Sequence, residues 1–181
     1  MSRRMGRDKG LIPDGNDVRI KKIYDVLSRS FHDIYLSIRN DQKDLYQKFF
    51  SESIFIYDQK KFVGIKGPLL GLVSFSERFP GAYFFVSACD LPDITQDLTD
   101  CILNSFSHES GYDAYIFWNS EKREPLFGIY NAEAILRYVQ GNSAAAQDCS
   151  LQSMLKTMKV LEISISANMR DLLKNYNFPD S

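Results

Sequence analysis

The chain has 181 residues, 44% hydrophobic and 25% charged, with a formal net charge of −1. That length and balance suit one domain, 1–181, built on a single core, and the near-neutral charge argues against a sequence-independent nucleic-acid binder, which needs a basic surplus. No apolar run approaches a membrane span and no apolar segment follows the basic start as an export signal requires, so a cytoplasmic protein with no membrane partner is expected.

The opening MSRRMGRDKG concentrates Arg3, Arg4, Arg7 and Lys9 against the acid Asp8. Gly6 permits close backbone approach, and Arg4 and Lys9 stand where two cations can converge on a polyphosphate. A solvated basic arm accounts for the same charge. Residues 17–29 then place Val18, Ile20, Ile23, Val26 and Leu27 largely on one helical face, with Asp17 as N-cap. Residues 32–38 read as a short strand, 41–50 as a small helix, and 53–58 as a strand ending in an acid, Asp58. Gly67 and Pro68 open an amphipathic helix over 67–79, where Gly67, Pro68 and Gly71 form either a pocket wall or an ordinary tight turn.

AYFFVSACD, 82–90, is the most hydrophobic stretch and lacks polar alternation, as a central parallel strand covered on both faces does. Asp90 closes it, with Pro92 two positions on. Ligands of open α/β sheets bind beyond the carboxyl ends of strands, so Asp90 is a natural magnesium ligand there; a helix-capping or turn aspartate is the alternative. A helix capped near Thr95 follows, then two strands, 113–119 and 124–131, joined by a charged turn. Two helices, 131–142 closed by Gly141 and 151–158, lead to a last strand at 160–166. Strands and helices alternating at this length point to an α/β fold with a mostly parallel sheet.

The three cysteines, Cys89, Cys101 and Cys149, lack metal-ligand spacing and suit reduced, buried thiols. His32 and His108 have no partner at metal or triad spacing and read as structural.

Taken together and in order, several segments resemble the molybdenum cofactor guanylyltransferase family of nucleotidyltransferases. SRRMGRDKGL, 2–11, matches the second half of a signature close to LAGGxSxRMGxDKxL, with Ser2, Arg4, Met5, Gly6, Asp8 and Lys9 in place. GPLLG, 67–71, matches a GPLxG loop, CDLP, 89–92, an aspartate turn, REPLFGIYN, 123–131, a PLxxxY-like segment, and NYNFPDS, 175–181, a closing NxNTPED. The resemblance implies a Rossmann-like three-layer fold and transfer of GMP from GTP to the molybdopterin cofactor, with pyrophosphate released. It also implies magnesium held by Asp90 and Asn177, and Arg4 and Lys9 as catalytic cations on the leaving group. Arg4, Gly6, Lys9, Asp58, Gly67, Pro68, Leu69 and Asp90 would bind the nucleotide, and molybdoenzyme maturation chaperones would be further partners. A related transferase using CTP or another nucleotide with a different acceptor is the alternative.

The chain departs from the pattern in four places. The LAGG half of the signature and the strand before it are absent, Phe178 replaces a threonine, Glu124 stands where His or Gln is frequent, and the helix after the closing motif is missing. The absent strand would bury about three or four apolar side chains at about 1.5–3 kcal/mol each. The expectation is therefore a version of a longer protein, started downstream of the true first codon, or an inactive homologue.

Overall fold

The computed structural model describes residues 8–59, 61–62, 64–118, 123–142 and 149–173. The sheet core is built on four strands: β5 (Tyr83–Ser87), β6 (Ala114–Trp118), β7 (Arg123–Asn131) and β8 (Val160–Ser164), in the order β5-β7-β6-β8. β6 and β8 are parallel, whereas β7 runs antiparallel to both β5 and β6, so β5, β6 and β8 point one way and β7 alone opposes them. β6 and β7 are the two strands expected on either side of a charged turn, whose residues 119–122 lie outside the described residues, and their register shifts between Ile116 and Phe117.

The alternation of β6 assigns its faces. Tyr115 and Phe117 enter one buried cluster with Leu98 and Ile102 of α4 (Gln96–His108) and with Ile23 and Leu27 of α1 (Arg19–Leu27). Ala114 and Ile116 enter the opposite cluster with Leu69, Leu72 and Val73 of α3 (Pro68–Arg78), Ile135 of α5 (Ala132–Asn142) and Met154 of α6 (Leu151–Thr157). Ile116 and Phe117 are fully buried, and a side chain of that size contributes about 1.5–3 kcal/mol when removed from water. Helices on both faces of a mixed sheet make the three-layer α/β arrangement.

A second, smaller sheet pairs β3 (Leu36–Ile38) with β4 (Phe55–Tyr57) in parallel, Leu36 opposite Phe55 and Ile38 opposite Tyr57. Leu36, Ile38 and Phe55 form a third cluster with Tyr46, the last residue of α2 (Lys43–Tyr46). α3 spans from this sheet to the larger one: Gly71 lies against Ser37 of β3, where a Cβ would come within 2.5 Å of the Ser37 hydroxyl, and Phe75 contacts both Tyr35 and Phe84. The first strands of the chain, β1 (Pro13–Asp14) and β2 (Asp17–Val18), form a two-residue antiparallel pair around Gly15, at φ +66°. α7 (Ala167–Asp171) follows β8.

Several expectations shift. Asp17 does not cap α1; its carboxylate accepts from the neighbouring Val18 N–H within β2, and Val18 takes the cap position without a side-chain bond. Gly141 does not close α5 but lies within its last turn. Only the last three residues of the strand expected over 32–38 pair with β4.

The largest change concerns 82–90. β5 forms as expected, yet it pairs with β7 alone among the described residues, and its strand residues are half-buried or exposed instead of fully buried. Its apolar run reads as a central strand, but the sheet is divided at this edge, and no described strand joins β5 to β3 or β4.

Candidate functional site

Asp8 caps a short 3₁₀ turn, Lys9–Leu11, by accepting a 3.0 Å bond from the Gly10 N–H. Lys9, the first residue of that turn, extends Nζ to Asp90 Oδ2 at 3.1 Å, and the two side chains are 24% and 18% exposed. Asp90 lies three residues beyond the last residue of β5, at the carboxyl end where open α/β sheets bind ligands. Lys9 is therefore docked at the end of β5, while Arg3, Arg4 and Arg7 lie outside the described residues.

Two further groups converge on Asp8. The Tyr46 hydroxyl donates to Oδ1 at 2.8 Å, and the Gln42 amide donates to Oδ2. Gln42 in turn accepts from the Arg39 N–H at 2.8 Å, so the turn is tied to the chain just past β3. Burial and the nearby Asp8 charge hold the Tyr46 phenol well above its ordinary range, so it remains a donor at neutral pH. Cys89 directly precedes Asp90 in sequence, and burial with the charges of Asp90 and Asp8 pushes its thiol up to about 12. It is a thiol at neutral pH and not a nucleophile.

Asp58 follows β4, and its N–H continues the parallel ladder to the Ile38 carbonyl at 3.1 Å. Burial raises its carboxyl pKa, against the lowering field of Arg39, whose guanidinium holds Asp41 by two bonds of 2.9 and 3.1 Å. The carboxyl ends of β3, β4 and β5 thus carry Arg39, Asp58 and Asp90 in turn.

Gly67 adopts φ +63°, ψ −147°, a conformation that only glycine takes without strain, and hands the chain to Pro68 at the first position of α3. Leu69 is 1% exposed within the core, so only its backbone is open to a ligand role, together with the exposed Gly67 and Pro68. Arg4, Gly6 and Asn177 lie outside the described residues.

Among the described residues no three His, Cys, Asp or Glu side chains cluster as a dedicated metal cage. Asp90, with Oδ2 on Lys9, is a carboxylate of the kind that a divalent cation takes together with a substrate's phosphates.

A family model described as a MobA-like NTP transferase domain matches residues 1–162. The chain belongs to this family. A Bacillus mycoides (strain KBAB4) relative named "Probable molybdenum cofactor guanylyltransferase" is 26% identical over 131 residues, covering 72% of this chain and 64% of that protein. A Synechocystis sp. protein named "Molybdenum cofactor biosynthesis bifunctional protein" is 25% identical over 182 residues, 99% of this chain and 49% of its own length. The chain thus spans less than two thirds of these relatives. The crystal structure of molybdopterin-guanine dinucleotide biosynthesis protein A from Archaeoglobus fulgidus superposes with a TM-score of 0.74 at 20% identity, over 98% of this chain and 88% of that one, and establishes the shared fold.

For a MobA-like transferase domain, the motif residues Lys9 and Asp90 are those that reasoning from sequence joins to the reaction, and they meet. Tyr46, Gln42 and Arg39 escaped that reasoning. Tyr46 stands 38 positions from Asp8 in a four-residue helix, and no local spacing signals such a partner. Among the described residues no helix is long and apolar enough to cross a membrane.

Proposed function

We propose that this domain transfers GMP from GTP to the molybdopterin cofactor. A terminal phosphate oxygen of the pterin attacks the α-phosphorus in line, the bond from that phosphorus to the bridging oxygen breaks, and pyrophosphate leaves. The contact between Lys9 and Asp90 at the carboxyl end of β5 carries the reading, because it sets a cation and a carboxylate side by side where a polyphosphate and its metal would sit.

Each residue has a physical task in it. The Lys9 ammonium offsets charge that grows on the pyrophosphate as it departs, in a fixed position that needs no reorganisation during reaction. Asp90 is the residue to hold magnesium, with Asn177 as its partner by resemblance, and when bound the ion supplies neutralisation of the phosphate oxygens. With nucleotide and metal in place, Lys9 exchanges Asp90 for the phosphate. Gly67 and the backbone through Leu69 border the nucleoside, and so does Asp58, whose raised pKa marks a carboxyl partly withdrawn from water. Arg4 and Gly6 complete the phosphate loop by resemblance. No covalent intermediate on the protein is needed, in keeping with the raised thiol pKa of Cys89.

The test is a comparison of GTP, CTP and ATP, each with magnesium and the molybdopterin cofactor, reading pyrophosphate release and the dinucleotide product. Preference for GTP with formation of the guanine dinucleotide is expected. Preference for CTP would assign the fold to a cytidylyl transfer instead, and release of no pyrophosphate from any of the three would remove the activity.

A further inference from the structure

A lysine is a point charge on a flexible four-carbon stem, and it is placed only as well as its backbone is placed. Lys9 begins a three-residue turn, too short to be rigid by itself. What fixes this turn is Asp8, and what fixes Asp8 is the segment after β3 that packs against the small sheet. Tyr46 is 5% exposed and packs with Leu36, Ile38 and Phe55, so its hydroxyl is delivered from a buried ring. Gln42 bridges Asp8 to the backbone of Arg39. Gly10 makes room for this arrangement, since a Cβ there would stand 2.6 Å from the Tyr46 oxygen.

We infer that Tyr46 and Gln42 are positioning residues for Lys9: by donating to opposite oxygens of Asp8 they set the turn from which Lys9 reaches Asp90. The inference rests on the proposed role of Lys9 as leaving-group cation. It also explains how two sheets that share no described strand keep their carboxyl ends in register. The segment packed against the small sheet holds Asp8 through Tyr46 and Gln42, the next residue spans to the end of β5, and one dipeptide couples both sides of the site.

The test uses Tyr46→Phe, which keeps the ring and its packing and removes one donor, and Gln42→Ala, which removes the other at a half-buried position. Losing a hydrogen bond to a charged group corresponds to about a tenfold or larger effect where the bond matters to the transition state. Each variant is therefore expected to lower kcat by about tenfold while leaving KM for GTP within about twofold. In a Lys9→Ala background neither should lower kcat further, since the residue through which they act is gone. Acetylation of Lys9 by acetic anhydride, followed by mass spectrometry, should be faster in both variants, because a loosened turn exposes the amine.

Unchanged labelling of Lys9 together with unchanged kcat would overturn the inference. So would an undiminished loss of kcat in the Lys9→Ala background, which would route the effect through another residue. If Lys9→Ala alone leaves kcat intact, the proposed role of Lys9 fails, while the labelling result still decides whether Tyr46 and Gln42 position it.

Discussion

Lys9 and Asp90 are separated by 81 positions in sequence and meet at 3.1 Å, with most of each side chain shielded from water. The pair joins the segment proposed to bind phosphate to the strand end proposed to hold the metal. Replacing Asp90 by Asn removes the carboxylate charge with almost no change in shape. Transfer is expected to fall by about 10²–10³ or more, while the far-ultraviolet circular dichroism and thermal midpoint stay close to those of the parent. Near-normal turnover of the variant with magnesium would exclude Asp90 as a ligand.

Lys9→Ala deletes the cation and leaves the turn, whose cap is formed by Asp8 and the Gly10 N–H. The chemical step is expected to slow by about 10²–10³, measured in single turnover with saturating GTP. Nucleotide affinity should change far less, because the charge is most needed on the departing pyrophosphate. A rate within a few-fold of the parent would remove Lys9 from the chemical step.

Asp58 makes a prediction about stability with a definite sign. Burial raises its carboxyl pKa in the folded protein above its ordinary value, so the folded state binds this proton more tightly than the unfolded chain does. Ionised Asp58 therefore costs stability, fully so above the folded pKa and not at all below the unfolded value. Asp58→Asn should raise the thermal midpoint at about pH 7 and leave it unchanged near about pH 3, where both states carry the proton. Nucleotide binding should weaken in the same variant. An equal gain at both pH values would trace the effect to something other than ionisation.

Gly128 of β7 faces Val86 on one side and Ile116 on the other. A Cβ at this position would stand 2.8 Å from both the Tyr115 carbonyl oxygen and Ile116 Cγ2, and neither the backbone nor a buried β-branched side chain yields cheaply. Gly128→Ala is expected to lower unfolding free energy by about 1–3 kcal/mol, read from the urea midpoint at constant m-value. An unchanged midpoint would mean that the β6–β7 bulge absorbs the methyl group.

The elements best read from sequence were those with their own periodicity and caps. α4 begins after Thr95, whose hydroxyl accepts from the Leu98 N–H, and α3 begins at Pro68 after Gly67. Motif residues at strand ends were legible for the same reason, since Asp58 and Asp90 each follow an apolar β-rich run. The edge position of β5 among the described strands was not legible, because AYFFV has the same composition whether a neighbouring strand is present or not. The β1–β2 pair was missed because two-residue strands carry no alternation. The Asp8–Tyr46 contact was hidden by distance along the chain, and a lone tyrosine in a polar helix gives no indication of the carboxylate it will meet.

Among the described residues β5 pairs on one side only, and that pairing sets which of its amides water can sample. The Ala82 carbonyl accepts from Ala132 and the Ala88 N–H donates to Leu126, both on the β7 side. By the two-residue alternation of an antiparallel ladder, Phe84 and Val86 also turn their backbone groups toward β7, and Tyr83, Phe85 and Ser87 turn theirs away. Deuterium uptake along the strand should therefore alternate, slow at 84, 86 and 88 and fast at 83, 85 and 87, wherever no other backbone lies along that edge. The same three amides form a short hydrogen-bonding template, flanked by aromatic rings, for an extended segment of any chain that reaches it. Their exchange rates become a direct gauge of whether that edge is filled.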